Sequence, residues 1–71
     1  MHPADIQAAI KKAGSSQAEI ARALGVTRGA VSFVVAGHST SERIATEIAT
    51  ITGIHIDRLW PGRYTEKRAA A

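Results

Sequence analysis

The side chains best suited to chemistry in this 71-residue chain cluster in its middle. Arg28, Ser32 and Phe33 bring a guanidinium, a hydroxyl and an aromatic ring close together, with Gly29 between them. An arginine fork bonds two acceptors at once, a hydroxyl donates or accepts, and a ring covers an apolar group. That is the chemistry of recognition, and catalysis has far less to draw on. Asp5, Asp57 and the four glutamates fall on separate segments and give no carboxylate pair. His2, His38 and His55 share no metal-ligand spacing. The absence of cysteine removes thiolate metal sites, disulfides and a cysteine nucleophile together. No glycine-rich phosphate loop is present. The sequence predicts a protein that is not an enzyme and needs no cofactor and no metal.

Helices must position these residues. Ile6, Ala9, Ile10 and Ala13 repeat at the spacing of one helix face. With Pro3 and Asp5 at the start and Gly14 past the end, they predict a first helix over 3–13. Lys11 and Lys12 suit its last turn. Ser16 and Glu19 fit a capping box ahead of Ile20, Ala21 and Leu24, and Gly25 marks the stop, so helix 2 is expected over 17–24. Thr27 is the next cap, and Gly37 closes helix 3. Three valines favour a strand by propensity. Val31, Val34 and Val35 nonetheless fall within about 100° of helical arc, leaving Gly29, Ser32, Phe33 and Ala36 on the other side. Ser39 and Glu42 suggest a second capping box for helix 4 over 40–51, ended by Gly53. Ile54, Ile56, Leu59 and Trp60 form an apolar cluster around one turn at 57–59, followed by Pro61 and Gly62. Residues 65–71 lack an apolar face and are expected to be a mobile tail, leaving one all-α domain over 1–64.

Across helices 2 and 3 the residue types obey a tighter rule. Gln17, Ala21, Gly25 and Val31 are spaced by four, four and six, with Ile20, Leu24, Val26 and Val34 filling the apolar positions between. Ala21 falls where the second helix crosses the first, and a larger side chain would separate them. Gly25 must take positive φ in the turn. This set resembles the helix-turn-helix of the lambda-repressor-like family, of the Xre and Cro type, over residues 17–35, and the helix order extends the resemblance over 3–60. The ending Leu59-Trp60-Pro61-Gly62-Arg63-Tyr64 is similar to the W-P-x-R-Y ending of the Ner-like regulators of Mu-like phages, although the start is shorter than in that pattern.

The resemblance implies a compact five-helix lambda-repressor-like bundle and a sequence-specific regulator of transcription, a repressor in the Ner-like case, bound to double-stranded DNA. In this docking class the second helix of the motif enters the major groove with its N-terminal residues at base edges. Arg28 is then expected on guanine O6 and N7, Ser32 on a base edge or phosphate, and Phe33 on a thymine methyl, with Gly29 removing bulk at the groove wall. Gln17 is expected to clamp a phosphate, Thr27 to cap helix 3 and touch another, and Arg43 to reach the backbone across the groove. Three of these residues break local rules, as functional positions do. Arg28 opposes the helix dipole, Gly29 weakens a helix, and Phe33 lies off the apolar face. Other roles stay open at several positions. Phe33 could pack under a loop or in a dimer contact, and Arg43 could pair with Glu42 or Glu47. Trp60 could stack on bases or take a core or dimer role, with Tyr64 closing over the same cluster.

Composition sets the partners. Nine Lys and Arg against six Asp and Glu give a formal +3, and 45% of the residues are hydrophobic, so a folded domain with an anionic partner is expected. Lys11, Lys12, Lys67 and Arg68 would add diffuse attraction. No apolar run approaches the roughly 20 residues that span a bilayer, and the start lacks a signal-peptide pattern, so no membrane role and a cytoplasmic, prokaryotic or phage-encoded protein are expected. A chain this short leaves no room for a small-molecule effector pocket. One short helix reads few base pairs, which implies a homodimer on a palindromic operator, with half-sites about 34–36 Å apart or a multiple. Its dimer surface is expected over residues 40–64. The rival class is a protein-interaction module on the same fold, antitoxin-like or an anti-regulator subunit, with Phe33 as anchor.

Overall fold

Ser16, Thr27 and Ser41 each turn a side-chain oxygen onto the backbone amide three residues ahead, and each contact starts a helix. The acceptances are from Glu19 N at 3.1 Å, Ala30 N at 3.1 Å and Ile44 N at 3.3 Å. In the computed structural model, which describes residues 1–64, the elements are α1 (Pro3–Lys12), α2 (Gln17–Leu24), α3 (Arg28–Ala36), α4 (Glu42–Thr52) and α5 (Ile56–Leu59). Among the described residues there is no strand, so the fold is all-α. The expected tail at 65–71, with Lys67 and Arg68, lies outside the described residues.

The expected bounds of helices 2 and 3 match α2 and α3, and α1 and α5 differ from expectation by one residue each. Helix 4 differs more. Its cap is Ser41 rather than Ser39, and it starts at Glu42 rather than 40. The physical reason is tertiary: the Ser41 amide donates to Tyr64 Oη at 3.3 Å, which fixes Ser41 in extended backbone just before the first turn. Two further caps are histidines, because neutral imidazole Nδ1 can accept as a serine oxygen does. His2 Nδ1 accepts from Ala4 N at 3.3 Å, and His55 Nδ1 accepts from Asp57 N at 3.1 Å.

Every helix contributes to one core. Ile6 and Ile10 of α1, Ile20 and Ala21 of α2, and Ile44, Ala45 and Ile48 of α4 are buried around Val31, Val34 and Val35 of α3. Ile56 and Leu59 close one end of it. Each fully buried aliphatic side chain of this size contributes roughly 1.5–3 kcal/mol, which holds together helices too short to persist alone. Trp60 and Tyr64 are also buried, edge to face with centroids 5.7 Å apart, so Trp60 is a core residue and not a platform for bases. Helix α3 packs against α1, α2 and α4 and is therefore held from three directions.

Its approach to α2 depends on Ala21 and Gly25. Ala21 is buried to 4% exposure in that contact. Gly25 adopts φ +70°, a left-handed conformation costly to residues with a Cβ, and the next amide, Val26 N, returns to Ala21 O at 2.9 Å. Three residues, Gly25, Val26 and Thr27, thus turn the chain from α2 into α3.

Candidate nucleic-acid interface

The inward valines of α3 are at most 1% exposed, which fixes the rotation of the helix and therefore what its other side presents. Arg28, Gly29, Phe33 and Ala36 are exposed and Ser32 is half-buried. Phe33 is 59% exposed, whereas the other aromatic residues, Trp60 and Tyr64, are buried. It does not pack under a loop, although the His38 ring meets it edge-on with centroids 5.9 Å apart. A ring held on open surface at the middle of a helix is free to meet an apolar group of a partner.

At the first turn of α3 the free backbone amides and a cation lie together. Thr27 Oγ1 covers the Ala30 amide, and its hydroxyl proton stays available to an acceptor. Arg28 projects from an exposed position and makes no ion pair among the described residues. It lines a groove of about 390 Å³ together with Gln17, Ser16 and Lys11. The start of α2, the start of α3 and the end of α1 therefore meet around one depression. Two helix N-termini and two cations make it attractive to anions. Gln17, the first residue of α2, is half-buried on its wall. In sequence Lys11 offers only diffuse charge; the fold brings it to Gln17 and Arg28.

Arg43 is placed differently from the others. Its Nη2 donates to Leu24 O at 2.7 Å, one of the carbonyls that α2 leaves unpaired at its C-terminus. The guanidinium thereby staples α4 to the end of α2, a role the sequence does not suggest, and does not pair with Glu42 or Glu47. Its remaining N–H groups are still available to a second acceptor. Arg63 enters the sequence reading only as part of the 60–64 ending, and the fold gives it a place beside α3. Its guanidinium lies near Gly37 at the end of α3, where a Cβ would be 3.7 Å from Nη2.

Among the described residues no three His, Asp or Glu side chains converge as metal ligands, and no helix is long and apolar enough to cross a membrane. What the surface offers is the exposed side of α3 with a cation at its start, no side chain at Gly29, a ring at its middle, and an anion-attracting depression beside it. The model of a family described as winged helix-turn-helix DNA-binding matches residues 1–71. No curated protein and no solved structure matches the chain.

Proposed function

The chain belongs to the winged helix-turn-helix DNA-binding family, and from that premise we propose that it is a sequence-specific regulator of transcription that reads the major groove with α3. The observation that carries this reading is the two-sided character of α3: valines sealed in the core on one side, and Arg28, Gly29 and Phe33 exposed on the other. Arg28 bonds guanine O6 and N7, Ser32 meets a base edge or phosphate, and Phe33 rests on a thymine methyl. Gly29 lets the first turn approach closely. Gln17 holds a phosphate at the start of α2, Thr27 donates to another, and Arg43 adds a backbone contact from α4.

A single short helix specifies few base pairs, so the active form is a homodimer on a palindromic operator, its two copies meeting through residues 40–64. Repression is the simplest output: a bound dimer occludes polymerase, and occupancy follows protein concentration. The Ner-like ending at 60–64 supports a repressor of that kind, in a prokaryotic or phage setting.

Selection of bound duplexes from a random pool tests the reading. The expected result is a symmetric consensus with half-sites spaced by a whole number of helical turns; recovery of no enriched sequence would refute it. A protein-interaction module anchored on exposed Phe33 is the second reading. A salt titration separates the two, since binding that releases counterions from phosphates weakens steeply with salt and an apolar protein contact does not.

A further inference from the structure

Residues 60–64 return to the far end of α3 and touch its connection to α4 at two points. Tyr64 Oη accepts from Ser41 N at 3.3 Å, and the Arg63 guanidinium lies against Gly37. Between these anchors His38, Ser39 and Thr40 are exposed. Among the described residues, the Ser39 and Thr40 hydroxyls and the Arg63 guanidinium have no hydrogen-bond or ion-pair partner. Arg63 lines a shallow groove with Ala36, which stands two turns from Gly29 on the same side of α3.

We propose that Arg63 is a DNA-backbone contact at the C-terminal end of α3, with Ser39 and Thr40 as accessory donors, and that the homodimer contact assigned to residues 40–64 uses other side chains of that segment and leaves Thr40 and Arg63 uncovered. The proposal rests on the DNA-binding reading and adds a second anchor, opposite the depression formed by Lys11, Gln17 and Arg28. Nine helical residues span about 13.5 Å, longer than the major-groove depth of about 8.5 Å, for a helix that enters with its N-terminal residues at base edges. A helix with its first turn at base edges therefore has its last turn near the groove wall, where phosphates lie. Burial of Trp60 and Tyr64 on either side of Arg63 holds its backbone in place, so little ordering accompanies the contact. The competing role is electrostatic and internal: a cation near Gly37 also favours the negative end of the α3 dipole. The two roles differ in their response to salt.

The experiment compares the wild-type 71-residue chain with Arg63→Gln and Arg63→Lys on a selected duplex and on a random-sequence duplex, across a salt series, alongside thermal unfolding. Arg63→Gln is expected to weaken binding to both duplexes evenly, by about 3- to 10-fold, and to make the salt dependence shallower by about 0.9 in log–log slope for each phosphate no longer neutralised. Arg63→Lys, which keeps the charge, retains the wild-type slope, and the unfolding midpoint is unchanged throughout. An unchanged slope in Arg63→Gln overturns the proposal, and a lowered midpoint alongside it assigns Arg63 to the dipole. Failure of the wild type to bind any duplex would sink the DNA-binding reading itself; wild-type binding with an unaltered Arg63→Gln slope removes only this contact.

Discussion

Gly29→Ala should make the protein more stable and a poorer binder of DNA. Gly29 is the second residue of α3, exposed, and in right-handed helical backbone, so alanine can occupy it without strain. A Cβ there would meet only Thr27 Oγ1, at an ordinary contact distance of 3.9 Å. Removing a glycine from a helix gains up to about 1 kcal/mol, and about half of that is reasonable in a first turn. For a domain of this size about 0.5 kcal/mol raises the thermal midpoint by roughly 2–4 °C. The added methyl stands on the face assigned to the groove, where forcing extra volume into close contact costs about 1–3 kcal/mol, or roughly 5- to 150-fold in affinity. Thermal unfolding followed by circular dichroism gives the first quantity, and fluorescence anisotropy on a labelled duplex gives the second. A variant that is more stable yet binds DNA with wild-type affinity would show that the first turn of α3 does not approach the duplex. A destabilised variant would refute the account of Gly29 as a local helix weakness retained for close approach.

Arg28→Ala should relax preference at one base pair per half-site by about 1–3 kcal/mol, read from binding to single-substitution duplexes, whereas Lys11→Ala should lower affinity evenly and reduce the salt slope by about one. Ala21→Leu should destabilise the domain by about 1–3 kcal/mol in urea unfolding, because the 4%-exposed alanine lies in the contact between α2 and α3. Arg43→Gln removes the charged donor to Leu24 O; a drop of about 0.5–1.5 kcal/mol in stability is expected, and a shallower salt slope besides would add a phosphate contact to the staple. Ser16→Ala should cost about 1 kcal/mol by removing the α2 cap, with no effect on sequence preference.

The parts of the fold that are legible in the sequence are those in which both ends of an element carry a local signal. Ser16 with Gly25 and Thr27 with Gly37 bracket α2 and α3 by contacts that span only a few residues, so their bounds follow from order alone. The start of α4 is ambiguous for the opposite reason. Ser39 and Ser41 are both competent caps, and the choice is made by the Tyr64 hydroxyl from 23 positions away. The same distinction runs through the site. Valine spacing reveals which side of α3 faces outward, because helical phase is local. It cannot reveal that Arg43 reaches Leu24 O, that Lys11 joins Gln17 and Arg28, or that Arg63 lies beside Gly37. Long cations announce their charge in sequence but not their reach, which depends on where separate helices bring their stems.

If α3 recognises DNA as proposed, its composition explains how recognition and folding can be divided between its two sides. Over nine residues it carries a glycine, a serine, a phenylalanine and three valines, a poor set for an isolated helix, and it is too short to persist in water alone. Its persistence must come from packing, and contacts with α1, α2 and α4 supply that through Val31, Val34 and Val35. Because the inner side provides the stability, the exposed side chains at positions 28, 33 and 36 and the half-buried Ser32 carry little of the structural load. Each can be chosen for what it meets outside. A recognition surface of this kind also needs rigidity, since a base contact misplaced by an ångström loses its geometry. If these residues read DNA as proposed, the burial that releases them from folding also fixes them in place, and the exposed ring of Phe33 is tolerated because the domain's stability does not depend on hiding it.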